Sequence, residues 1–187
     1  MPRLAQRVCW LFSFGVAACS LALDEKEYIS FVRDLENGLH VIKEVNEFVF
    51  DVQYQPMDYL AISRNPNDLQ PDNSLQYYLL NVGVKGSKID IEHYKATNEA
   101  ELQQTRYYFS YHFQNDIQLE ERGQVLPCLL FHAEQSLKEG NFKTFVLAFE
   151  NKFPDSEESK LVITSDLFGS LPVKIKILKT TPRLRKL

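Results

Sequence analysis

From Leu39 onward the apolar residues of this chain recur at every second position, whereas the stretch just before repeats at every third and fourth. Tyr28, Phe31, Val32 and Leu35 share one helical face, and the spacing predicts a short amphipathic helix within 24–37. Asp24 and Glu27 have the separation of a capping box, and Asn37-Gly38 supplies a stop. Period-two runs then predict strands at 39–45, 48–54, 76–85, 89–93, 107–113 with a continuation at 117–119, 126–132, 142–149, 161–163 and 173–178. Residues 56–61 read as a helical turn, 64–73 as a surface loop, and Asn98 with Glu101 as the start of a short helix reaching about Thr105. Pro127 suits a first or edge position, since it cannot donate to a central ladder. About nine short strands with one or two marginal helices predict a mainly β fold. The expected form is a single antiparallel β-sandwich or partly closed barrel over 24–179.

The first residues obey another rule. Arg3 and Arg7 precede an uncharged run, 8–18, that is too short to span a bilayer as a helix but suits the apolar core of a secretory signal. Within it, Val16-Ala17-Ala18-Cys19 resembles the lipobox of bacterial lipoprotein precursors. The resemblance covers these four residues and the signal before them. It implies that the chain is cut before Cys19, whose thiol receives diacylglycerol and whose new amino group is acylated. On that reading 1–18 are signal peptide, 19–23 a lipid-anchor linker and 180–187 a basic tail. The alternative is ordinary cleavage after Ala22, because Ser20-Leu21-Ala22 also has small residues where a signal peptidase needs them. Cys9 lies in the signal and Cys19 at the lipobox, so Cys128 is alone in the body and an internal disulfide is not expected.

Charge narrows the partners. Losing Arg3 and Arg7 with the signal shifts the balance from 21 basic and 25 acidic residues to 19 and 25, which argues against a nucleic-acid binder. The last segment departs from this balance: Lys174, Lys176, Lys179, Arg183, Arg185 and Lys186 follow Leu171 with no acid among them. Lys179, Arg183, Arg185 and Lys186 are candidates for contact with anionic lipid headgroups. The alternative is the solvent face of a last strand followed by a mobile end.

Candidate chemistry is sparse. Cys128 and His132 would lie on one face of a strand but about 13 Å apart, too far for a nucleophile and its base, and Cys128 reads as a buried, inert thiol. His40, His93, His112 and His132 lack metal-ligand spacing, and neither a metal nor a cofactor is expected. Glu120-Glu121 and Glu157-Glu158 lie beside turn residues and read as solvated charge. The tyrosines carry the most ambiguous signal. Tyr77, Tyr78, Tyr107, Tyr108 and Tyr111 either form a stacking platform on strands for a glycan, peptide or lipid, or belong to the core with Phe109 and Phe113. These readings lead to a membrane-anchored lipoprotein of the cell envelope, in the outer membrane if there are two, acting as a structural or interaction module and not as an enzyme. Its partners would be the membrane, through the N-terminal lipid, and envelope proteins or glycans. The alternatives are a ligand-binding protein using the tyrosines, a hydrolase with acids assembled by folding, and a periplasmic or secreted location.

Overall fold

The computed structural model describes residues 22–63, 71–94, 96–134 and 142–185. In chain order these form β1 (Ala22–Leu23), α1 (Glu25–Arg33), β2 (His40–Val45), β3 (Phe48–Gln55), α2 (Met57–Ser63), β4 (Leu75–Val84), α3 (Ile91–Tyr94) and α4 (Glu99–Tyr107). A π-helical turn (Tyr108–His112) and a 3-10 turn (Phe113–Asp116) lead into β5 (Ile117–Glu121), β6 (Gln124–Ala133), β7 (Phe142–Glu150), β8 (Glu158–Ile163), β9 (Val173–Leu178) and β10 (Arg183–Leu184). The helix before the first long strand forms where its caps allow. Asp24 Oδ1 accepts from the Glu27 amide at 2.9 Å, and Glu27 Oε2 accepts from the Asp24 amide at 3.0 Å.

Eight strands make one sheet in the order β2-β3-β4-β7-β6-β5-β8-β9, every pair antiparallel. The sheet curls until its edges meet, so of the two expected forms the nearly closed barrel is the one adopted. At the seam the Leu178 amide donates to the Gly38 carbonyl at 2.9 Å and Lys43 Nζ donates to the Lys174 carbonyl at 2.6 Å. Gly38 has φ +73°, and a Cβ there would sit 2.8 Å from Leu178 Cδ1, so any other residue at the seam would be strained and would push Leu178 aside. Inward positions of successive strands fill the barrel: Phe48, Phe50 and Val52, then Tyr78, Leu80 and Val82, then Phe145, Leu147 and Phe149, then Leu161 and Ile163, then Val173, Ile175 and Ile177. This is a packed interior and not a channel.

Two ends follow from the strand directions. The near end holds the start of β2, the end of β3 and the starts of β4 and β8. There α1 sets Tyr28 and Val32 against Leu39 and Tyr59, with Leu23 and Leu184 at the margin. β1 and β10 pair in parallel, Ala22 opposite Arg183 and Leu23 opposite Leu184, so the first and last described segments are clasped together at this end. The far end is covered by α3, α4 and the turns after them. Phe109 and Phe113 enter the barrel mouth against Phe145, Phe131 and Phe168, with ring centroids 5.0–6.2 Å apart.

Two expected strands are helical. Residues 89–93 lead into α3, and 107–113 continue α4. Phe109 and Phe113 fit both templates, since positions four apart share a face in a strand and in a helix. Tyr107 and Tyr111 separate the two templates. A strand would bury them with the phenylalanines, yet they are exposed. Leu102, Phe109 and Phe113 carry the helical period that prevails, begun by Asn98 Oδ1 accepting from the Glu101 amide at 3.0 Å. Among the described residues no helix is long and apolar enough to cross a membrane.

Candidate functional site at the far end

α4 carries its residues around the mouth of the barrel so that two adjacent grooves flank it. One, of about 500 Å³, is lined by Gln103, Gln104, Arg106, Tyr107, Ser110 and Tyr111. The other, of about 470 Å³, is lined by Gln104, Thr105, Tyr108, Asp116 and the 164–167 loop. Gln104 borders both. Tyr107 and Tyr111 are 58% and 68% exposed, the two most exposed aromatic side chains among the described residues. Their centroids lie 5.0 Å apart at 45°, one helical turn from each other. The π-helical turn, closed by the Phe113 amide donating to the Tyr108 carbonyl, also brings His112 to 5.1 Å from Tyr107. Such turns concentrate at functional places in helices.

The polar groove is organised from behind. The Tyr108 hydroxyl donates to Asp116 Oδ2 at 2.6 Å and lies 2.6 Å from Ser165 Oγ. Burial, together with the Asp116 carboxylate that needs the proton, raises the Tyr108 phenol above its ordinary range, so it stays a donor. On the other flank Arg106 Nε lies 3.4 Å from Glu92 Oε2, and Lys143 pairs with the other oxygen of Glu92. Arg106, the cation among the described residues that line this groove, is thereby paired.

The five tyrosines do not form one platform. Tyr107, Tyr108 and Tyr111 come together on the cap, on a helix instead of strands. Tyr78 is fully buried inside the barrel near the opposite end, where burial holds its phenol well above the usual range. Tyr77 points out of the barrel beneath α2, against Leu60 and Ala148. Both are adjacent residues of β4, so alternation sends them to opposite sides and neither is open for stacking.

The candidate headgroup contacts also divide. Lys179 is not on the surface: its Nζ lies 2.7 Å from Glu121 Oε1, and both side chains are buried. Glu121 is therefore no solvated charge, because Ile117, Leu119 and Glu121 alternate inward along β5. Gln76 Nε2 donates to its other oxygen at 3.0 Å, the Tyr78 hydroxyl donates to Gln76 Oε1 at 2.9 Å, and Ser159 Oγ completes the chain at 2.9 Å. Lys179 Nζ also lies 5.6 Å from the centre of the Tyr54 ring, whose hydroxyl burial pushes up to about 12. Arg183 and Arg185 are exposed, but the segment is paired and not a free end. The Arg185 amide donates to the Leu23 carbonyl at 2.8 Å and its guanidinium to the Ala22 carbonyl at 3.1 Å. Lys186, Cys19 and the lipobox lie outside the described residues.

Cys128 is buried, and burial pushes its thiol up to about 12. A register shift between Cys128 and Leu130 breaks the alternation of β6, so Cys128 faces in and His132 faces out. They are on opposite faces, not the shared face that an unbroken strand would give. His40 has both ring nitrogens engaged, Nδ1 at 2.7 Å from the Arg33 carbonyl and Nε2 at 2.6 Å from Asp51 Oδ1, which ties the end of α1 to β3. Among the described residues no group of three or more His, Cys, Asp or Glu side chains is arranged to hold a metal ion. Sequence reasoning missed Gln104, Asp116 and Ser165. The one available signal was the helix start at Asn98, because a helix continued past Thr105 carries Gln104 and Tyr108 on one face.

Compared with protein-family models, curated proteins and solved structures, the chain matches none of them.

Proposed function

We propose that this protein is a membrane-tethered module of the cell envelope that works by binding and not by catalysis. It would be held by lipid on Cys19 and present its helical cap away from the bilayer. The observation that supports this reading most is the polarity of the barrel: the chain enters at the near end, and the exposed aromatic residues are at the far end. Ser20 and Leu21 alone separate Cys19 from the paired Ala22, so a lipid on Cys19 would be leashed within about 11 Å of the near end. The ten residues of β4 place the cap about 25 Å further out along a tilted strand. Arg183 and Arg185, clasped beside Ala22, would then face the headgroups and help set orientation, while the acyl chains supply the attachment.

The test expresses the full chain in a bacterial host with labelled fatty acid. The wild type should incorporate label and partition into detergent, and Cys19→Ser should do neither. An unmodified N-terminus at Leu23 in the intact mass would replace the tethered reading with plain secretion.

A further inference from the structure

The two grooves beside α4 differ in chemistry and share one residue. On one side stand the exposed aromatic side chains of Tyr107 and Tyr111. On the other, Asp116, Ser165 and Asp166 offer carboxylate and hydroxyl oxygens, and Gln104 stands between them. We propose that this surface is a carbohydrate-binding site, an inference that rests on reading the protein as a binding module and names its ligand class.

A pyranose has a face made of C–H groups and a rim of hydroxyls, each of which both donates and accepts. Recognition therefore needs an aromatic face for the first and closely spaced carboxylate, carboxamide or hydroxyl groups for the second. The cap holds both kinds of group beside one helix. The aromatic pair is fixed by helical spacing, and the acceptor side is fixed by the Tyr108 hydroxyl, which bonds Asp116 and lies against Ser165. Little ordering is left to be done on binding, which favours a weakly held, hydroxyl-rich ligand. Each groove falls within the roughly 300–1,000 Å³ typical of small-ligand sites.

Other ligand classes fit less well. Phosphate or sulfate groups would meet Asp116 and Asp166, while the nearest cation on the helix, Arg106, already faces Glu92. A peptide joining by strand addition needs an open sheet edge, and the cap is helical with its backbone bonded internally. Neutral sugars suit both the exposed rings and the acidic rim.

The experiment probes the purified full chain, in detergent, with an array of neutral tetrasaccharides of glucose, N-acetylglucosamine, mannose and galactose, beside sialylated and sulfated controls. Calorimetry then follows the best neutral binder. At least one neutral tetrasaccharide should bind. Tyr111→Ala should weaken it by about tenfold, the equivalent of losing one aromatic contact. Tyr111→Phe should leave it nearly unchanged, because stacking uses the ring. Gln104→Ala and Asp166→Asn should weaken it with unchanged thermal midpoints, as these side chains are exposed. Three results would overturn the proposal: no neutral sugar bound at millimolar concentration, preference for the acidic controls, or binding indifferent to both Tyr111→Ala and Tyr107→Ala. Capture of an envelope protein that depends on Tyr107 and Tyr111, with no sugar bound, would overturn the carbohydrate class and leave the binding module standing. Failure of fatty-acid labelling with sugar binding intact would remove the tether alone.

Discussion

At the near end of the barrel, Lys179 and Glu121 meet 2.7 Å apart, beside Gln76, Tyr78 and Ser159; at the far end, Phe109 and Phe113 fill the mouth with rings. The difference is one of energetic kind. A buried ion pair returns little net stability once both charges have been taken out of water, but it tolerates few geometries, so it fixes how the segment after β9 re-enters the fold. That segment leads directly to β10 and the clasp on Ala22. The aromatic plug is the reverse: it gains from apolar burial and tolerates change on its outer side. A helix anchored from within by Phe109 and Phe113 is free to carry Tyr107, Gln104 and Tyr111 outward. The end that must be specified is polar, and the end that has a surface to spare is apolar.

The largest effect should come from breaking the polar end. Lys179→Met leaves Glu121 buried without its cation and should cost about 3–5 kcal/mol in urea denaturation. Adding Glu121→Gln should recover much of it, and no recovery in the double variant would mean that the pair's charge is not what matters. Next, Phe113→Ala should cost about 3 kcal/mol and release the cap first. Hydrogen exchange should then quicken over 99–116 before the barrel strands. An even rise across the whole sheet would show that the cap and barrel are one cooperative unit and would blunt the contrast between the ends.

The smallest effect lies between the ends, at Cys128. Cys128→Ala should cost about 1 kcal/mol at neutral pH, and the native thiol should label slowly. The pH dependence has a definite sign. Burial raises the folded thiol from 9.0 to about 12, so its contribution to stability is complete below the ordinary thiol range and is lost as pH rises through about 12. Denaturation between pH 8 and 11 should therefore show a shallower alkaline decline in Cys128→Ala than in wild type. The remaining slope should come from Tyr28, Tyr54, Tyr78 and Tyr108, whose phenols are also raised and fail in the same direction. Equal slopes would place Cys128 in a wetter site than the barrel wall provides.

Much of the barrel could be read locally. Alternation of apolar residues over 48–54, 76–85, 142–149 and 173–178 marked strands, because a strand with one dry side imposes a period of two on its own sequence. Asp24 with Glu27 and Asn98 with Glu101 marked helix starts, since a cap is satisfied within four residues. What local pattern could not decide was where a residue's partner lay. Glu121 looked solvated beside its turn until Lys179, 58 residues later, arrived within the same barrel end. Residues 107–113 read as a strand although Phe109 and Phe113 satisfy both periods, and the barrel mouth chose the helix by offering Phe145 and Phe168 as neighbours. Cys128 and His132 were assigned one face by counting, and a single unpaired residue in β6 parted them. Sequence by itself determined the periods, the caps and the acidic balance, all of which act over a few residues or over the whole chain. Tertiary structure alone decided which charges are buried together and which aromatic rings are left outside, because both depend on surfaces brought into contact from distant positions.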